Sequence, residues 1–288
     1  MTKKIISLLM GLGILCASAE AKNREFKEHL SKEFVLSGNV TGTILFIYNI
    51  SGFIKVEGYN GNKVLFEMDK TISAADEKNL EEGKKAFKLA FEQNKDSITA
   101  YISGPFDSRP NRNRHYNDDR SEFEYQSDVD FTLKVPFGIN LHVSTVNNGI
   151  ISVSNVEGAL HIDNVDGEIT ILNAKGTTWA HTVNGDVTVG YLINPQEESS
   201  YYTINGNIRV TYQPGLSADL RFKSMNGDFY TDFRDGEMLP ASITKTADRR
   251  VGAIVYKLNA LTAVRFGKGG RIFKFETLNG NVYIKKHS

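Results

Sequence analysis

The sequence predicts an all-β fold: a β-solenoid of single-stranded, β-helix-like repeats, with a β-rich amino-terminal cap carrying one short helix. Three observations carry this. Glycines fall into a fixed register, apolar residues sit at the second and fourth positions after them, and one eight-residue phrase recurs as TVNGDVTV at 182, TINGNIRV at 203, SMNGDFYT at 224 and TLNGNVYI at 277. A fixed period over many units is the mark of a repeat architecture.

The first element is a leader. MTKKIISLLMGLGILCASAEAK opens with Lys3 and Lys4, continues apolar from Ile5 to Cys16 and ends among Ala17, Ala19 and Ala21. That is the three-part pattern of a secretory signal peptide over residues 1–21, with cleavage after Ala19 or Ala21. The expected location is therefore periplasmic, cell-surface or secreted, with no transmembrane segment after cleavage. Cys16 is the only cysteine, and bulky Ile14 and Leu15 before it argue against lipidation. An exported chain without disulfides must rely on packing and hydrogen bonding.

Residues 22–135 are expected to form the β-rich portion. Alternating apolar and polar residues run through TILFIYNISGFIKVEGYNGNKVLFEM, broken by Gly52 and by Asn60-Gly61, the period-two pattern of strands. SAADEKNLEEGKKAF then predicts a helix over about 74–85 with Ser73 as its N-cap. Alternation resumes through Phe87, Leu89 and Phe91, turns at 94–96, and returns through Ile98, Ala100 and Ile102 as a hairpin. DSRPNRNRHYNDDRSE over 107–122 reads as a solvated loop of mixed charge.

The repeats fill residues 136–288. Gly149, Gly158, Gly167, Gly176 and Gly185 are nine residues apart, Gly206 and Gly227 follow at intervals of twenty-one, and Gly280 belongs to the final copy. Each is expected at a turn, with Gly185 at positive φ. The residue before glycine is usually Asn or Asp, types that tolerate left-handed turns. Inward positions include Ile151 and Val153, Leu160 and Ile162, Ile169 and Ile171, Val187 and Val189, Ile208 and Val210, and Val282 and Ile284. Strands stacking coil upon coil explain the repetition, because a lone unit cannot bury its apolar side; an antiparallel sandwich is the alternative. An insertion near 232–275 breaks the register. Within it, RDGEMLPASITKTADRR reads as a loop and AVRFGKGGRIFKF as a hairpin, and the last copy is expected to close the far end.

The order of these phrases, from FIYNISGFIKVEGYNGN through FTLKVPFGINLHVSTVNNG, NVDG and MNGDFYTDF to TLNGNVYIKK, resembles the putative-adhesin family of unknown function found in exported bacterial proteins, mainly of Bacteroidota. The resemblance covers nearly all of the chain beyond the leader. It implies an exported, β-solenoid-like, non-catalytic protein and supplies no catalytic residues.

Composition narrows the function classes further. With 34 basic and 34 acidic residues among 288, the chain has no net field to attract nucleic acid. Position three after each glycine should face outward, giving one surface stripe through His161, Trp179, Arg209, Tyr230 and Tyr283. An aromatic there could stack on a sugar ring or a partner side chain. No catalytic, cofactor or metal residues are expected. His142, His161 and His181 occupy different phases relative to their glycines, so their side chains are not expected to converge. The expected function is an adhesin-like scaffold for a surface glycan or another envelope protein. The alternative is a polysaccharide-active β-helix enzyme using Asp166, Glu168 or Asp186.

Overall fold

The computed structural model of the protein describes residues 23–36, 38–110, 123–250 and 253–288, with backbone alone over 241–250 and 253–261. The leader over 1–21, with Cys16, and residues 111–122 of the polar loop lie outside the described residues.

The chain enters on β1 (Arg24–Val35), β2 (Ile44–Tyr48), β3 (Ile54–Tyr59) and β4 (Lys63–Ala74). Helix α1 (Glu77–Ala86) follows, capped by Asp76, whose carboxylate accepts the Asn79 N–H at 2.8 Å. The helix expected from 74 starts later because Ser73 and Ala74 are still extended, paired with Glu25 and Arg24 on one side. As expected, β5 (Lys88–Gln93) and β6 (Ser97–Gly104) form an antiparallel hairpin. Then come β7 (Tyr125–Pro136), β8 (Asn140–Ser144), β9 (Ile151–Ser154), β10 (Leu160–Asp163), β11 (Ile169–Ala174), β12 (Thr178–His181) and β13 (Val187–Tyr191). The remainder are β14 (Ser199–Asn205), β15 (Ile208–Tyr212), β16 (Ala218–Asn226), β17 (Phe229–Thr231), β18 (Glu237–Arg250), β19 (Ala253–Phe266), β20 (Arg271–Asn279) and β21 (Val282–Lys286).

The all-β expectation holds. Among the described residues the strands form two mixed sheets. The first is ordered β1-β4-β7-β3-β9-β11-β13-β15-β21-β17, and the second β18-β19-β16-β20-β14-β12-β10-β8-β2-β6-β5. From β8 to β17 successive strands go to alternate sheets. A strand therefore pairs in parallel with the second-next unit, Ile151 with Ile169 and Leu160 with Thr178, and not with its neighbour in sequence. The nine-residue glycine spacing is half of the spatial repeat.

Two segments are out of chain order. β2 and β3 lie between β6 or β7 and the strands that follow them, and β20 and β21 are inserted between β14 or β15 and β16 or β17. The last TLNG copy is thus enclosed rather than terminal, contrary to expectation. The insertion also differs: the segment read as a loop is the strand β18, paired antiparallel with β19. The expected hairpin at 267–270 does not form, because β16 separates β19 from β20 by pairing with both.

The recurring phrase has a steric cause. A Cβ on Gly185 would lie 2.3 Å from the carbonyl oxygen of Gly167, one on Gly206 2.0 Å from that of Gly185, and one on Gly280 1.8 Å from that of Gly206. Each turn is seated directly on the turn below, in space that any side chain would fill. Gly185 also has φ +155°, the positive value expected for it. The carbonyls in this column are bonded by the residue that begins each phrase. Thr182 Oγ1 donates to Gly167 O at 2.9 Å, Thr203 Oγ1 to Gly185 O at 2.8 Å and Thr277 Oγ1 to Gly206 O at 3.1 Å. These threonines are buried, so without that bond they would carry a desolvation cost.

The asparagines serve a different purpose from the one expected. Asn184, Asn205, Asn226 and Asn279 are not at positive φ; among the described non-glycine residues only Asn148, Asn155 and Asn173 are. They form a side-chain ladder on the surface. Asn184 donates to Asp166 at 2.6 Å, and Asn205 to Asn184, Asn279 to Asn205 and Asn226 to Asn279 each at 2.8 Å.

Between the sheets lies one apolar cluster, to which all the inward positions named from the sequence belong, each at most 2% exposed. Toward the carboxyl end it holds three buried tyrosines. Their hydroxyls satisfy one another, Tyr191 to Tyr201 at 2.6 Å and Tyr201 to Tyr212 at 3.2 Å.

The steric account sets an expectation. Gly185→Ala should cost about 3 kcal/mol, because backbone must move on both turns. Thr203→Val should cost about 1–2 kcal/mol by stranding a buried carbonyl. Thr188→Val, on the outer face of the same strand, should change stability by less than ~0.5 kcal/mol. Chemical denaturation of the three variants checks the order, and a Thr188→Val loss equal to that of Gly185→Ala would contradict it.

Candidate functional site

The single stripe expected from the sequence is two clusters on different sheets. His161 and Trp179 belong to β10 and β12, whereas Arg209, Tyr230 and Tyr283 belong to β15, β17 and β21. The cause is the alternation of strands: an outward position in one unit and the same position in the next emerge on opposite faces.

On the first sheet, Tyr230 stacks on Tyr283 at 5.1 Å and the Arg209 guanidinium lies 5.5 Å from the Tyr283 ring centre. Arg209 is also paired with Asp186. Asp186 accepts the Asn207 N–H at 2.7 Å, and these bonds hold its carboxyl below the usual range despite burial.

The second sheet carries a longer array. Parallel register aligns Phe46, His142, His161, Trp179 and Ser200 on β2, β8, β10, β12 and β14, and beside them Tyr48, Ser144, Asp163, His181 and Tyr202. Ring centres follow one another at 5.5 Å from Phe46 to His142, 4.3 Å to His161 and 5.4 Å to Trp179. The His142 and His161 rings are within 6° of parallel, and His161 and Trp179 within 9°. The line then passes to His181 at 4.8 Å and to Tyr202 at 5.5 Å. Five adjacent strands at parallel-sheet spacing span roughly 19 Å.

Trp179 is where this array opens. It is 48% exposed, and its inward neighbours Thr178 and Ala180 are buried as the alternating pattern requires. His161 covers one side, but the partner on β14 is Ser200, which is too small to cover the other. The indole is fixed in place, since its Nε1–H donates to His181 Nδ1 at 2.7 Å. With Nδ1 accepting, His181 carries its proton on Nε2, which lies 3.2 Å from Ser200 Oγ.

The histidines depart from expectation as well. His142 and His161 do converge, because their alignment follows the parallel register between β8 and β10, not the distance from the preceding glycine. Asp163, two residues beyond His161 on the same face, lies 3.0 Å from His161 Nε2 and 3.9 Å from His142 Nε2. Sequence reasoning missed Asp163, and only the register could have brought it forward. Burial raises the Asp163 carboxyl above its ordinary value, while the nearby histidines oppose the rise. Burial lowers His142, helped by His161. The same two causes bring His181 down to about 4.

The molecule so described is an all-β repeat protein with an outward aromatic and imidazole array on one sheet. No family model matches the sequence, and no curated protein does. Among solved structures, a putative cell adhesion protein from Clostridium sporogenes is 9% identical with a TM-score of 0.40, covering 90% of this chain and 100% of that one. A putative adhesin from Bacteroides fragilis is 8% identical with a TM-score of 0.31, covering 90% and 97%. Both likenesses are too distant to bear on function.

The lowered histidines give a pH expectation. An unfolded histidine takes a proton near 6.5, whereas folded His181 resists protonation until about 4. Acidification through that window therefore favours the unfolded chain. His142 acts in the same direction, and the raised Asp163 opposes them toward the acid end. The Tm should fall from pH 6.5 toward 4.5, and His181→Gln should flatten the decline. An identical slope in the variant would assign the decline to other groups.

Proposed function

We propose that this chain is a non-catalytic protein exported to the cell envelope or surface, a β-solenoid whose stacked turns present an adhesin-like binding face, and that a surface glycan docks at Trp179. The observation that carries the reading is the half-exposed indole, held by His181 and uncovered on its Ser200 side. A rigid aromatic next to hydroxyl and imidazole groups suits a sugar, which offers an apolar ring face and polar edges.

The solenoid reading draws on the alternation of strands between sheets and on the parallel stacking of turns. Residues 22–135 serve as its amino-terminal cap, since β1 and β4 continue one sheet antiparallel and β5 the other. Export rests on the leader sequence. Among the described residues, no helix is long and apolar enough to cross a membrane.

The runner-up, a polysaccharide-active enzyme, needs a free pair of carboxylates facing a cleft. Asp166 is tied to Asn184, and Asp186 to Arg209 and Asn207, so Glu168, which is exposed, has neither of them free as a partner. Their positions are accounted for by the turns.

Because Trp179 is the sole tryptophan, its fluorescence reports directly on the site. Titration with a panel of neutral and anionic glycans should give a saturable change with at least one of them. Measured by calorimetry, since the variant has no tryptophan to report, Trp179→Ala should weaken binding of that glycan at least ~30-fold, as expected for an aromatic anchor, while Tyr283→Ala on the other sheet leaves it unchanged. Binding that survives Trp179→Ala and is lost in Tyr283→Ala would move the site to the other face. Glycan turnover by the purified protein would overturn the non-catalytic reading.

A further inference from the structure

The neighbouring group on the same face has chemistry that sugar stacking does not use. His142, His161 and Asp163 each offer one donor atom, and the three atoms lie within 4.8 Å of one another. We propose that they form a three-ligand site for a divalent metal ion of the zinc class, with a further coordination position open to solvent.

The register makes the site. β8 and β10 pair in parallel with His142 beside His161, so the two imidazoles emerge one strand spacing apart. Asp163 follows His161 at the next outward position. Its Oδ2 is 3.0 Å from His161 Nε2 and 3.9 Å from His142 Nε2. Donors bound to one tetrahedral zinc at about 2.0–2.1 Å are separated from each other by roughly 3.3 Å. The first distance already fits and the second is somewhat long. The rings lie parallel at 4.3 Å, so their lone pairs run side by side. Binding requires His142 to tilt out of the stack and bring its Nε2 toward Asp163. The side chains are 29%, 42% and 39% exposed for His142, His161 and Asp163, which leaves room for that movement and for a fourth ligand from outside.

The donor set selects the class of ion. Two imidazoles and one carboxylate suit zinc, copper or nickel, whereas calcium and magnesium favour oxygen ligands throughout. Asp163 has no lysine or arginine in ion-pair contact among the described residues; both of its ionic contacts are these histidines. A half-buried carboxylate whose ionic contacts are both imidazoles therefore lacks a permanent cation, and a metal ion supplies one. His181 is not a ligand, since one ring nitrogen accepts from Trp179 and the other faces Ser200.

Calorimetric titration of the purified, EDTA-treated and dialysed full chain with zinc chloride at pH 7.4 tests the proposal without any glycan present, so its outcome is separate from that of the binding reading. We expect one equivalent bound with a Kd of about 10 μM or tighter. Asp163→Asn, which preserves shape, and His161→Ala should each weaken it at least ~10-fold, with circular dichroism confirming that both variants are folded. His29→Ala is the control for the other imidazole-carboxylate group among the described residues, in which His29 contacts Asp69 and Glu67, and it should leave one equivalent bound. Zinc should also shift the imidazole NMR signals of His142 and His161. Absence of binding at 1 mM zinc, or one equivalent that survives Asp163→Asn and His161→Ala but is lost in His29→Ala, would overturn the assignment.

Discussion

The whole stack depends on how closely one turn can approach the next. In the column running through Gly167, Gly185, Gly206 and Gly280, the carbonyl oxygen of one glycine takes the place where a Cβ of the next would stand. This contact fixes the vertical spacing and the register together. Once it is made, the threonine three positions before Gly185, Gly206 and Gly280 finds the carbonyl below, and the asparagine before each of these glycines finds its counterpart on the surface. One steric requirement thus yields a buried hydrogen-bond column and an exposed one, both aligned with the strands they join.

Register carried through the strands then decides what each face becomes. Inward residues meet their equivalents and build a continuous core, from Val143 and Ile162 to the hydroxyl chain of Tyr191, Tyr201 and Tyr212. Outward residues are stacked by the same geometry. Aromatic and imidazole side chains that would be scattered along a single strand become a line from Phe46 to Trp179, and an aspartate comes beside two histidines. In a parallel stack, side chains at equivalent positions are neighbours whatever their type, and here that places rings on rings and a carboxylate on imidazoles.

The ends of the stack are handled by chain order. Enclosing β20 and β21 within the sheets binds the last repeat on both sides, so the carboxyl terminus does not end on an unpaired edge. The antiparallel strands β1 and β4 at one end and β18 and β19 at the other extend beyond the parallel region. Among the described residues the outermost strands are β1 and β17 of one sheet and β18 and β5 of the other, and an edge strand of either direction carries unpaired backbone groups.

The sequence by itself determined the all-β class, the inward positions after each glycine, the hairpin of β5 and β6 and the positive φ at Gly185. These depend on local alternation and on turn residues, which are legible one unit at a time. It also indicated that Trp179 faces outward. Tertiary structure alone decided which outward residues meet. The apparent stripe through His161, Trp179, Arg209, Tyr230 and Tyr283 divides because adjacent units enter opposite sheets, and sequence spacing does not say which sheet a strand joins. His142, His161 and Asp163 come together because β8 and β10 pair two units apart with a nineteen-residue offset between His142 and His161, a long-range register that local patterning leaves unspecified. The late strands show the same limit: β16 pairs with both β19 and β20, and the segment between them therefore crosses over instead of folding back, since hydrogen-bond partners are assigned by the completed sheet.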